Sequence, residues 1–130
     1  MFQRDYILRM IQAVAQAIGQ VLRALAEKKP DAAEQALAEG YSALSIDREL
    51  LLMLDGPSLR SHFGDAEKLV LAARLLICDA EVQQHKGELR AAQRRLKAAR
   101  RVLAEHGAAP DEVRAELDRV AAALGTLASH

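Results

Sequence analysis

Ala66-Glu-Lys-Leu-Val-Leu-Ala-Ala-Arg-Leu-Leu-Ile-Cys-Asp-Ala80, then Gly87, then Leu89, Ala92, Leu96, Ala99 and Leu103, is the stretch that decides the fold. The first part is apolar on most of its circumference. In the second, the apolar residues recur at alternating steps of three and four, which sets them on one face of an α-helix. Gly87 between the two is the hinge of a helical hairpin running from Asp65 to His106. Ala80, Ala92 and Ala99 are expected where the helices cross, because alanine lets two axes approach to about 8–10 Å. The rest of the chain reads as more helix laid against this pair.

The bulk composition supports an all-α domain. A chain of 130 residues forms one domain that buries roughly two-thirds of its unfolded surface. Hydrophobic residues make up 51% and charged ones 28%, which is globular composition. With aromatics at 3% and no tryptophan, the core falls to Leu, Ile, Val and Ala, and β-branched runs are missing. Lysine plus arginine equals aspartate plus glutamate, so the net charge is zero. A neutral total argues against a dedicated nucleic-acid or anionic-membrane binder, while leaving local patches open. The one cysteine, Cys78, lies in an apolar helix and reads as a core residue. No stretch is apolar for long enough to span a bilayer. Asp5 and Arg9 interrupt the N-terminal segment, which does not read as a signal peptide, so the cytoplasm is the expected location.

Taken in order, residues 2–28 are expected to form one long helix. Ile7, Ile11, Val14, Ile18, Val21 and Leu25 make a heptad-like seam, and Phe2, Tyr6, Leu8, Met10 and Leu22 widen it. A helix so apolar needs neighbours on two sides, either all from its own chain or one from a second copy. Lys28-Lys29-Pro30-Asp31 ends it, and Asp31 with Glu34 forms a capping-box pattern for a second, acidic helix to about Ile46. That helix is expected to bury Ala33, Leu37 and Leu44. Lys28, Ala33, Leu37 and Gly40 echo the spacing of Gly87, Ala92, Leu96 and Ala99, so residues 1–46 read as a degenerate first hairpin.

Residues 47–65 form an insert. Leu50 to Leu54 reads as a short helix or turn, Asp55-Gly56-Pro57-Ser58 as a turn, and Leu59 to Phe63 as one more helical turn stopped by Gly64, with Asp65 as the next cap. The second hairpin occupies 66–106. After a linker at Gly107-Ala108-Ala109-Pro110, residues 110–128 form a capping helix with Val113, Leu117, Val120, Leu124 and Leu127 on one face, and Ser129-His130 is expected to fray.

The small residues, the hinge Gly87, Ala92, Leu96 and Ala99 resemble one tetratricopeptide-type repeat, a helical hairpin of about 34 residues. The likeness covers Ala66 to Ala104. Leu76 and Gln83 stand where that family favours large aromatics, and Ala104 replaces its usual proline. The opening Met1-Phe2-Gln3-Arg4-Asp5-Tyr6-Ile7-Leu8-Arg9-Met10-Ile11, with Lys68-Leu69-Val70-Leu71-Ala72-Ala73-Arg74-Leu75-Leu76, is similar to an uncharacterised family of small bacterial helical proteins. That resemblance implies an all-helical fold and a bacterial cytoplasmic origin, and it implies no activity.

Sequence chemistry points away from catalysis. There is no glycine-rich phosphate loop, no His-x-x-x-His and no Cys-x-x-Cys. His85 and His106 suit helix C-termini, while Asp79 and Glu81 point to different sides of their helix. Ser61 and His62, with Asp55 and Asp65 nearby, show no nucleophile–base–orienter arrangement. We therefore expect no catalytic residues, no metal and no cofactor. The expected function is a non-enzymatic interaction or scaffold module, a homodimer or the receiver of a protein partner. Its contacts are expected at Tyr6, Met10, Ile11, Val14 and Ile18, in a groove lined by helix 1 and the central hairpin. The alternative is a nucleic-acid or anion binder using Arg90, Arg94, Arg95, Lys97 and Arg101. No aromatics interleave with those cations, so a solvated or acid-paired face is the simpler reading.

Overall fold

The computed structural model describes residues 2–107 and 110–128. Among the described residues there are seven helices and no strand: α1 Phe2–Ala26, α2 Pro30–Ala43, α3 Arg48–Met53, α4 Gly56–Phe63, α5 Ala66–His85, α6 Leu89–His106 and α7 Asp111–Ala128. No described helix is long and apolar enough to cross a membrane. Ser129, His130 and the Leu127 side chain lie outside the described part.

α5 is the element the others share. It packs against α6 along its length, against both α1 and α2, and against α4 and α7. That explains why its sequence is apolar nearly all round: Leu69, Ala72, Leu75, Leu76, Ile77, Ala80 and Val82 are all buried, on several faces. α6 buries one stripe, with Ala92, Leu96, Ala99 and Leu103 as the spacing predicted. α7 lies across both α5 and α6 with Val113, Leu117, Val120 and Leu124 inward. The stacking is therefore staggered: α5 sits on both helices of the first hairpin, and α7 on both helices of the second.

The echo between the hairpins is realised in the backbone. At the first hinge Lys28 N–H donates to the Leu25 carbonyl at 3.0 Å and Lys29 N–H to the Ala24 carbonyl at 2.8 Å. At the second, Gly87 donates to Gln84 at 3.0 Å and Glu88 to Gln83 at 2.8 Å. Both hinge residues are left-handed, Lys28 at φ 59° and Gly87 at φ 78°. Glycine holds that conformation without cost, whereas a residue with a Cβ loses about 1–2 kcal/mol. Lys28→Gly is accordingly expected to stabilise the chain by about 1 kcal/mol and Gly87→Ala to destabilise it by a similar amount. Urea midpoints that move the other way would show that the hinges are not equivalent.

Two local expectations are corrected. The capping box at Asp31 and Glu34 does not form: α2 begins at Pro30, Lys29 stands at its N-cap, and no side chain caps it. Proline's fixed φ and missing N–H suit the first helical position, so the helix starts ahead of Asp31 and Glu34 is free to bond elsewhere. Asp55-Gly56-Pro57-Ser58 is a helix start and not a separate turn. The Asp55 carboxylate accepts from Ser58 N–H at 2.8 Å, and α4 runs on to the left-handed Gly64. Asp65 caps α5 as expected, accepting from Glu67 N–H at 2.7 Å.

Candidate functional site

Between α1 and α7, over α5, lies a groove of about 490 Å³. α1 contributes Ala15, Ile18, Gly19 and Leu22, and α5 contributes Arg74, Ile77, Cys78 and Glu81. These two sets are the same positions counted back from the two hinges: Ala15 with Arg74, Ile18 with Ile77, Gly19 with Cys78, Leu22 with Glu81. The groove thus presents matched faces of two equivalent helices. α7 adds a third wall with Glu112, Val113 and Glu116.

The floor is apolar and the α7 side acidic. Ile77 and Cys78 are buried beneath it, and Leu22 stands 47% exposed at its α1 edge. Burial, helped by the charges of Glu81, Asp79 and Glu116, pushes the Cys78 thiol up to about 12, so it is an uncharged thiol and not a nucleophile near neutral pH. Burial also raises Glu81, against the pull of Arg119, whose guanidinium donates to Glu81 at 2.7 Å and to Glu116. The hydrogen bond from Arg119 holds Glu116 below the usual carboxylate range. Glu112 makes no ion pair among the described residues.

Behind the groove wall, α5 turns a polar face to α2, α3 and α6. Asp79 is wholly buried, and its Oδ2 accepts from Tyr41 Oη at 2.6 Å, Arg95 Nε at 3.2 Å and Arg48 Nη1 at 3.3 Å. Its Oδ1 accepts from Gln83 Nε2 at 2.9 Å. Gln83 also donates to Glu34 at 2.7 Å, and Glu34 accepts from Arg48 at 3.2 Å and Lys86 at 3.3 Å. Burial works to raise the Glu34 carboxyl, but the hydrogen bond from Gln83 and the charges of Arg48 and Lys86 carry it below the ordinary glutamate range. Tyr41 is pushed well above the ordinary phenol range by burial and by Asp79, so it stays a donor. This hub fastens two hairpins and the insert together. It supplies hydrogen bonds in fixed directions.

The residues singled out in the sequence are split by the fold. Of the expected contacts, Met10 at 5% and Val14 at 0% exposure belong to the chain's own core, because they point between α2 and α5. Ile11 and Ile18 are half-buried, and Tyr6 is exposed on another side of α1 with Lys68 over its ring. The basic stripe also divides. Arg95 is buried in the hub, and Arg101 donates to the Leu52 and Leu54 carbonyls at 3.3 and 2.8 Å, tying the insert to α6. Arg90, Arg94 and Lys97 remain on the surface. Helical spacing turns only Arg95 inward; Arg101 shares the face of Arg90, Arg94 and Lys97 and is taken up by the carbonyls of the insert, so three of the five cations are left exposed. Asp55 and Asp65 are spent on caps, and Ser61 and His62 are exposed, with His62 edge-on to Phe63. No three metal-binding side chains cluster among the described residues.

Sequence reasoning missed the hub. Asp79 was visible as a carboxylate inside an otherwise apolar run, and Gln83 stands one helical turn later on the same face. A charge in that setting requires buried partners, which would have pointed to Arg95 across the hinge. No family model, curated protein or solved structure matches this chain.

Proposed function

We propose that the chain is a non-enzymatic interaction module of tetratricopeptide-like hairpins, which takes an apolar helix of a protein partner into the groove between α1, α5 and α7. The observation that carries this reading is the matching of the groove walls. The same turn-spaced positions on α1 and α5 face it, apolar at Ile18, Leu22 and Ile77, and α7 closes the third side. A row of positions one helical turn apart suits a helix laid alongside, read through its own i, i+3, i+4 and i+7 residues. The staggered stacking supports the tetratricopeptide-like assignment, since α5 rests on both helices of the first hairpin and α7 on both helices of the second. The buried hub fastens α5, the floor of the groove, to α2, α3 and α6 on its far side, which limits the ordering cost of binding.

The reading is tested with a synthetic amphipathic leucine–lysine helix about 18 residues long, roughly five turns. Saturable binding is expected, with amide chemical shifts changing on α1, α5 and α7. Ile18→Lys should weaken it about tenfold or more, the loss of one buried aliphatic contact, while leaving the helical circular dichroism unchanged. Equal binding by that variant, or shifts confined to α6, would overturn the reading.

A further inference from the structure

We propose that the occupant of the groove is a second copy of this chain, whose α1 lies antiparallel on α1 with Ala15 against the partner's Ala15; this rests on the docking reading above. Leu8, Ile11, Ala15, Ile18 and Leu22 follow one another at steps of three and four along one stripe of α1, beside the residues that face its own core. The two large ends of the stripe are left in water, Leu8 at 48% and Leu22 at 47% exposure. A twofold interface must be complementary to itself, because each residue meets its counterpart through the same axis. The stripe has that property. Leu8 and Leu22 stand at equal distances on either side of Ala15, so an antiparallel pair sets Leu8 against the partner's Leu22. Ile11 and Gly19 are likewise equidistant from Ala15. A Cβ built on Gly19 meets nothing within 4 Å, so the partner's Ile11 side chain finds open space there.

Charge selects the antiparallel direction. Asp5 lies in the first turn of α1 and Arg23 in the last, both exposed and neither ion-paired among the described residues. Antiparallel pairing brings Asp5 beside the partner's Arg23 and opposes the two helix dipoles, whereas parallel pairing sets like against like. The amino-terminal half of each α1 then lies over the α1 side of the partner's groove. Between these ends the outer flank of α1 carries Gln12, Gln16 and Gln20, which place no repelling charge in the way.

The test is the solution mass of the full chain, followed by directed cross-linking. A particle near twice 14.2 kDa is expected. Leu22→Lys removes the contact twice in a twofold dimer, so it should weaken association about a hundredfold or more and give a monomer of unchanged helicity. In a Cys78→Ala background, Leu8→Cys mixed with Leu22→Cys should cross-link through a short bis-maleimide more efficiently than either variant with itself. A dimer that survives Leu22→Lys, or one in which Leu8→Cys prefers itself, overturns the proposal. A monomeric chain also overturns it, and if that monomer still takes the leucine–lysine helix, the docking reading stands with a foreign occupant.

Discussion

Replacing Asp79 with alanine is expected to cost about 3–5 kcal/mol of folding stability, the usual range for removing one partner of a buried ion pair. Four side chains from three helices and the insert converge on this carboxylate, and none of Tyr41, Gln83 or Arg95 can reach water instead. Arg95 already has one nitrogen, Nη1, without a hydrogen-bond partner. Without Asp79 its whole charge is stranded between α5 and α6. Urea unfolding followed by circular dichroism measures the loss, and a change below about 1 kcal/mol would mean that water enters the site freely. The attraction within a buried ion pair is commonly offset by the desolvation of its members, so Asp79→Leu combined with Arg95→Met should recover the part of the loss that comes from the stranded guanidinium, while Tyr41 stays without its acceptor. The polar hub then serves to fix which faces meet more than to add stability.

Leu75→Ala should cost about 2–5 kcal/mol, and Gly40→Ala in the same chain should restore part of it. Leu75 is wholly buried, and its methyls fill the space beside Gly40, where an added Cβ would lie 2.7 Å from Cδ1, 3.1 Å from Cδ2 and 3.3 Å from the Ala17 Cβ. Gly40→Ala alone gains roughly 1 kcal/mol of helix propensity and loses a similar amount to crowding against Leu75. Once Leu75 is shortened its part of the crowding is gone, only the 3.3 Å approach to the Ala17 Cβ is left, and the propensity remains. A double-mutant cycle should therefore show at least about 1 kcal/mol of favourable coupling. Strictly additive effects would mean that α2 and α5 are farther apart than the contact implies.

The elements were legible in the sequence where a physical period or a stop residue marks them. Leu89, Ala92, Leu96, Ala99 and Leu103 share a helix face because 3.6 residues make a turn, and the fold buries that face. Gly64 and Gly87 end helices in the left-handed conformation that glycine tolerates. The first hairpin was readable through the echo of Lys28, Ala33, Leu37 and Gly40, although lysine replaces glycine at its hinge. What was illegible depended on which helix covers which. Met10, Val14 and Leu22 are equally apolar in sequence, yet the approach of α2 and α5 buries the first two and leaves the third at the groove. Arg94 and Arg95 are adjacent cations, and Arg95, one turn from Ala92 and Ala99, goes inward because Asp79 receives it there. Glu34 looked like a cap because its spacing from Asp31 fits one, and Gln83, distant in sequence, claimed it.

The stagger of the helices also sets how the molecule opens. α5 is the one long helix in contact with both α1 and α2 on one side and both α6 and α7 on the other. Loosening α7 uncovers parts of α5 and α6 and leaves the first hairpin intact, while parting α1 and α2 from α5 leaves the second hairpin whole. Each of these sub-global openings costs less than full unfolding. Only the release of α5 dismantles everything at once, so its backbone amides should exchange their protons last of all. Either end can thus loosen while the middle keeps the register of both halves.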